Sequence, residues 1–329
     1  MTRCPSVPYR PDRKAKKKRI ARVPSLPQPG PPMLDERLTE QRNPRSERID
    51  LRTAREIVDI INREDRGVAE AVAREGDAVA RAVELAAEAF RGGGRLIYVG
   101  AGTSGRLGVL DAAEMPPTFG TDPELVQGII AGGYEALVRA QEGAEDHPAD
   151  GARAVDEVDV GEKDFVLGIA TSGSTPYVHG ALERARGRGA RTGFLLCTPP
   201  SDELRRAHDV VIAPLVGPEV VTGSTRMKAG TATKLVLNSI STGAMILTGK
   251  VYGNLMVDLQ VTCRKLQDRG ERILMETLEL DREGARNLLE AAHGQVKTAI
   301  VMGRRGVDAR EARRLLDEAE GRIGEVETP

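Results

Sequence analysis

Between residues 51 and 90 apolar side chains recur every three to four positions, first Leu51, Ala54, Ile57, Val58 and Ile61, then Val68, Val72, Val79, Val83 and Phe90. That period predicts two amphipathic helices, the second long and only weakly interrupted by Gly67 and Gly76, with apolar stripes that cover a sheet. GGGR at 92–95 stops the second helix. The apolar runs then become short and lose their alternation: LIYVG at 96–100, FVLGIA at 165–170, GFLLC at 193–197 and DVVIAP at 209–214. Strands that are apolar on both faces belong to a parallel sheet covered on both sides. Between them, LGVLDAAEM reads as a helix ended by Pro116 and Pro117, and PYVHGALERARGRG as a helix with Pro176 in its first turn, where a proline is tolerated. Repeated strand–turn–helix units make the fold class α/β, a three-layer parallel sheet with helices on both faces.

The flanking segments differ in texture. Residues 38–50 are polar and expected to be irregular. The stretch from Gly223 to about Gly249 is rich in Ala, Thr, Ser and Gly, a composition suited to close helix packing. From about Asp281 three short amphipathic helices are predicted, with breaks near Gly294 and at GRRG, 303–306. The expected organisation is an arm over 1–33, a main domain with its N-terminal helices over 34–275, and a small helical subdomain over 276–329 that docks on the main body.

Charge separates the arm from the rest. Residues 1–33 hold nine of the 48 Lys and Arg, one of the 49 Asp and Glu, and eight of the 19 prolines. The local balance is +8, leaving −9 to the remainder. Such a segment fills neither a helix nor a core, and reads as a basic arm or as an over-extended start that should fall at Met33. The remainder carries no basic excess, so no nucleic-acid partner is expected. The three cysteines, Cys4, Cys197 and Cys263, are too scattered for a disulfide framework or a metal knuckle, and the four histidines lack metal-ligand spacing. No apolar run is long enough to span a membrane. A cytoplasmic chain with no metal is the expectation.

Two turns carry the candidate chemistry. GAGTSGR at 100–106 follows a strand, precedes a helix and has the spacing GxGxxG. A dinucleotide site would need an acidic residue about 20 positions on, at the end of the next strand; that position falls in PPTFGTD, outside any predicted strand. Thr103 and Ser104 instead put hydroxyls into the turn. One unit later Thr171, Ser172, Gly173, Ser174 and Thr175 repeat the device. Glycine lets a ligand approach the backbone, while hydroxyls and free N–H groups at a helix start bond phosphate oxygens. Each turn alone could be ordinary helix capping; two at equivalent places on one sheet point to a small phosphorylated ligand. Neither continues into the GKS or GKT of a P-loop. GSTRMKAGTATK at 223–234 adds Ser224 and Lys228, with Arg226 and Lys234, as further candidates for the anion.

LIYVGAGTSGRLGVLDAAEMPPTFG, IIAGGYEALVRAQEGAED, GIATSGSTPYVHGAL and VTGSTRMKAGTATKLVLNSISTGAMILTGKVYGNLMVDLQ closely resemble the N-acetylmuramic acid 6-phosphate etherases, and the likeness runs from LTEQRNPRSERID at 38–50 to the chain end. The resemblance implies a sugar isomerase (SIS) domain, a homodimer, no cofactor, and a lyase that uses water to convert N-acetylmuramic acid 6-phosphate into N-acetylglucosamine 6-phosphate and D-lactate. It places the proton donor at Glu114 and the second catalytic carboxylate, the base, at Glu145. Ser174 stands where the resemblance leads one to expect a larger polar or basic side chain. SIS patterns also occur in phosphosugar isomerases and in phosphosugar-binding regulators, so an aldose–ketose isomerase and a regulatory protein stand as the alternatives.

The chemistry asks for such a pair. Once the sugar ring opens, the C1 aldehyde acidifies the C2 proton; one carboxylate removes it and a carboxylic acid protonates the lactyl oxygen leaving C3. Water then adds to the double bond. Glu114, just before Met115 and the proline pair, is expected in the last turn of its helix, where the negative dipole end favours a protonated carboxyl. Glu145 sits among Glu142, Asp146 and Asp150, with His147 as a rival base. The two roles are open to exchange.

Overall fold

The computed structural model describes residues 37–258 and 264–327. The basic arm, Cys4 and Cys263 lie outside the described residues. The polar segment after the arm winds through three single 3-10 turns, Leu38–Glu40, Pro44–Ser46 and Ile49–Leu51.

Helix α1 (Ala54–Asp65) starts at a capping box, with the Thr53 hydroxyl on the Glu56 N–H and the Glu56 side chain back on the Thr53 N–H. The single long helix expected next is two, α2 (Val68–Ala73) and α3 (Gly76–Arg91). The break at Arg74–Glu75 has a use. The Glu75 carboxylate accepts a 3.0 Å bond from the Ala213 N–H, a tertiary tie that helical periodicity does not encode.

Strand β1 (Leu96–Gly100) leads into α4 (Gly102–Phe119), then β2 (Val126–Ile130), α5 (Glu135–Val138), α6 (Pro148–Glu157), β3 (Phe165–Ile169), α7 (Pro176–Gly187), β4 (Arg191–Leu195), α8 (Asp202–Ala207), β5 (Val210–Ile212) and α9 (Lys228–Leu247). Two expectations are corrected. Helix α4 continues through Pro116 and Pro117 and ends at Gly120, whose φ is +61°. The prolines forfeit two backbone hydrogen bonds, but Met115 and Phe119 are buried in the core on either side of them, and that packing carries the helix one more turn. Strand β2 was not recognisable because Gln127 and Gly128 interrupt its apolar run; it forms at the sheet edge, in register with β1.

The five strands are all parallel, in the order β2-β1-β3-β4-β5. Their side chains alternate between two cores. Leu96, Tyr98, Phe165, Leu167, Ile169 and Leu195 pack under α3, α4 and α9, while Ile97, Val99, Val166, Phe194 and Leu196 pack under α6 and α7. Each fully buried aromatic or branched side chain contributes roughly 1.5–3 kcal/mol. This is the three-layer α/β architecture expected from the apolar runs.

A two-residue hairpin, β6 (Val251–Tyr252) and β7 (Leu255–Met256), leads to α10 (Arg264–Leu278), α11 (Arg282–Ala291), α12 (Val296–Arg305), α13 (Ala309–Glu318) and α14 (Ile323–Glu327). These helices share their own core of Val257, Ile273, Leu274, Leu289, Ile300 and Leu316 among others. The position 276 therefore falls within α10, whose Ile273 and Leu274 already belong to the helical core. The buried Glu271 on α10 is neutralised by Arg282 and Arg286 of α11 at 3.1 and 3.0 Å. The subdomain docks beside the end of α9, where Arg91 pairs with Glu320 at 3.9 Å and Lys250 and Lys297 share Asp258. Among the described residues no helix is long and apolar enough to cross a membrane.

Candidate active site

The strand order decides where a ligand can enter. From β1 the chain crosses through α4 to β2 on one side, then returns through α6 to β3 on the other. The loops at the carboxyl ends of β1 and β3 thus diverge, and a crevice opens between them. It holds a cavity of about 530 Å³ lined by Ala101–Ser104, Ala170–Ser172, Ser174–Pro176, Glu145, Asp146, Thr225 and Gly230, with Arg37 and Glu40 from the start and end of the first 3-10 turn.

The first wall is a packed one. Ser104 is buried in the opening turn of α4, and the Gly105 N–H bonds the Ala101 carbonyl at 3.2 Å. Gly105 must be glycine, since a Cβ there would lie 2.6 Å from the Ile130 side chain and 2.8 Å from the Gly100 carbonyl oxygen. The second wall is held by hydrogen bonds. Gly173 turns the chain at φ +77°, Ser172 Oγ lies 3.0 Å from Ser174 Oγ and receives the Ser174 N–H at 3.3 Å. Thr175 precedes α7, and Pro176 opens it. Thr103, Ser104, Ser172, Ser174 and Thr175 all line this one cavity.

The third wall joins two distant segments, for the Gly223 N–H donates to the Thr39 carbonyl at 3.2 Å. This brings in Arg37 and Glu40, which sequence reasoning missed because the polar stretch they stand in has no period to mark them. Arg37 is the single cation among the described residues lining the cavity, which Glu40, Glu145 and Asp146 also line. The loop carrying Glu145 is fixed beside the second turn by a 3.0 Å bond from the Tyr177 N–H to the Glu145 carbonyl.

Three candidates stand elsewhere. Lys228 is fully buried, and its ammonium bonds Glu64 at 2.9 Å instead of facing the cavity. Burial alone would raise the Glu64 carboxyl; hydrogen bonds from Arg45, Lys228 and Asn43 outweigh it and hold that carboxyl down at about 2. Lys228 is thus a structural cation at the start of α9, whose first N–H groups are capped by Glu219 at 3.1 and 2.9 Å. Ser224 is half-buried outside the lining, and its neighbour Thr225 takes the place expected for it. Glu114 is exposed on α4, five residues before its end and so outside the last turn, and does not line the cavity. The dipole argument for it fails because α4 outruns the prolines. One turn before it, the buried Asp111 accepts bonds from Tyr98, Asn238 and Ser241, locking α4 to β1 and α9. The rival base His147 is exposed at the start of α6, outside the lining.

Comparison with known proteins adds a second line. Residues 78–186 match the family model described as the glucokinase regulatory protein N-terminal SIS domain. The chain is 55% identical over 286 residues, 87% of its length and 93% of the relative's, to an N-acetylmuramic acid 6-phosphate etherase from Synechococcus elongatus. Etherases from Salinibacter ruber and Rhodopirellula baltica are 54% and 51% identical, covering 88% and 89% of this chain and 93% and 97% of theirs. Among solved structures, phosphoheptose isomerase from Neisseria gonorrhoeae aligns at 20% identity and a TM-score of 0.44, over 59% of this chain and 98% of that one.

Proposed function

We propose a reaction from one premise: the chain belongs to the N-acetylmuramic acid 6-phosphate etherase family, at 55% identity across 87% of its length. The protein is a lyase that converts N-acetylmuramic acid 6-phosphate and water into N-acetylglucosamine 6-phosphate and D-lactate. The observation that carries this reading is the convergence of two hydroxyl-bearing turns, Thr103–Ser104 and Ser172–Thr175, with Glu145 on one cavity. The turns suit a phosphate, with Arg37 as its countercharge, and the carboxylate suits removal of a proton.

In the open-chain sugar, Glu145 takes the C2 proton, the C3–O bond breaks, and lactate leaves with a proton from a carboxylic acid. Water then adds at C3 and C2 recovers a proton, so the sum is substrate plus water. The donor is Glu114, and its exposure outside its own cavity leads to the rest of the proposal. The protein is a cytoplasmic homodimer in which a second copy covers the α4 face bearing Leu110 and Glu114, together with the exposed Tyr134 and Val138 at the two ends of α5, which Arg106 of α4 ties in through the Leu137 carbonyl. Apolar side chains that open to solvent on one face are what such an interface buries. The second reading, favoured by its place in the lining, makes Glu40 of the same chain the donor.

Incubation with N-acetylmuramic acid 6-phosphate and enzymatic detection of D-lactate tests the reaction; no lactate at all would sink it. Mixing Glu114→Gln with Glu145→Gln subunits tests the donor. If Glu114 acts across the dimer, two inactive proteins recover about a quarter of wild-type activity, since half the random pairs are mixed and each holds one intact site. No recovery after demonstrated subunit exchange, with Glu40→Gln inactive, would transfer the donor role to Glu40.

A further inference from the structure

The turn after β3 is also the wall of a second cavity, about 770 Å³, on its far side. Ser172 and Ser174 line both cavities, whereas His179 lines only the far one. From there His179 Nε2 lies 2.9 Å from the Gly173 carbonyl oxygen. A carbonyl only accepts, so Nε2 carries the proton in either charge state of the ring. The ring is held in place by Phe194, with centroids 5.3 Å apart. The preceding peptide is tied separately, the Thr198 hydroxyl donating to the Ser172 carbonyl at 3.3 Å.

We propose that His179 is a positioning residue that locks the Gly173–Ser174 peptide in the orientation that binds an anion. The peptide is trans, so its carbonyl and its N–H point in opposite directions. With the carbonyl tied to His179, the Ser174 N–H is turned the other way, onto Ser172 Oγ. Glycine at φ +77° leaves this peptide free to rotate. Rotation would aim a carbonyl oxygen at the phosphate and withdraw the N–H that orders the Ser172 hydroxyl. His179 opposes that rotation from outside the cavity, without touching substrate. The inference rests on the reading of Ser172, Ser174 and Thr175 as phosphate ligands.

The test compares His179→Leu, which keeps an apolar side chain against Phe194 but cannot donate, with His179→Gln, whose amide can. Competitive inhibition by inorganic phosphate and by unphosphorylated N-acetylglucosamine is measured alongside KM and kcat. In His179→Leu the phosphate Ki and the KM rise about 5- to 10-fold, the loss expected for one neutral hydrogen bond. The N-acetylglucosamine Ki stays put, kcat falls less than KM rises, and His179→Gln restores the phosphate Ki. An unchanged phosphate Ki in a folded His179→Leu overturns the inference while leaving the phosphate reading intact. Equal rises for phosphate and sugar overturn it too, as general damage to the site. If wild type resists phosphate and Ser172→Ala leaves KM unchanged, the phosphate reading falls and this inference with it. Should His179→Leu fail to fold, His179→Met replaces it, since its side chain also lacks the N–H: a raised phosphate Ki supports the lock, and an unchanged one overturns it.

Discussion

The turns after β1 and β3 have the same ingredients, glycines with neighbouring hydroxyls between a strand and a helix, but they are held by different forces. In the first, close packing does it: Gly105 sits against the Ile130 side chain and the Gly100 carbonyl with no room for a methyl group. In the second, the half-buried Ser172 hydroxyl, the His179 ring and the Thr198 hydroxyl bond the backbone on either side of Gly173. Rigid packing gives a fixed edge to the site, and hydrogen bonding gives one whose donors can meet a ligand. Similar residues thus acquire different duties from their surroundings.

The comparison assigns binding to the turns and chemistry to the carboxylates, and its most demanding break is Glu145→Gln. The turnover number should fall by about 10²- to 10⁴-fold, the usual worth of a positioned proton-transfer group, with inhibition by inorganic phosphate unchanged. Proton NMR in deuterium oxide should show loss of C2 exchange. Near-wild-type lactate release would remove Glu145 from the reaction.

Next in size is Ser172→Ala, which tests the hydrogen-bonded turn. Losing a bond to a charged phosphate costs about 1.5–3 kcal/mol, roughly 10- to 150-fold in affinity. The fold should keep its melting temperature, and the loss should vanish for an unphosphorylated sugar. A penalty that persists without phosphate would move Ser172 out of the phosphate site.

Gly105→Ala tests the packed turn and should do the reverse, destabilising the fold by about 1–3 kcal/mol through overpacking. Denaturant titration reads this directly, and an unaltered midpoint would show that the close approach is not rigid. The smallest effect is expected from Gly173→Ala. There the added methyl meets only Leu196 Cδ1 at 3.1 Å and the Thr198 hydroxyl at 3.5 Å. The cost is then mainly the left-handed backbone, about 1 kcal/mol by the same denaturant titration. A loss as large as that of Gly105→Ala would erase the distinction between the two turns.

By itself the sequence determined what is local or long in pattern. Apolar runs without alternation specified strands covered on both faces, the helical period specified their covers, and the glycine–hydroxyl turns marked the cavity edges. The extended motifs marked the family. Only the tertiary structure decided which of these pieces meet. Strand order set the turns after β1 and β3 side by side, and a backbone bond between Gly223 and Thr39 drew Arg37 and Glu40 into the lining. Core packing around Met115 and Phe119 carried α4 past its prolines and left Glu114 on an open face. Burial turned Lys228 from an anion ligand into the partner of Glu64. The physical reason is the range of the forces: propensity and period act over a few residues, whereas the place of a charged side chain is settled by whichever distant groups close around it.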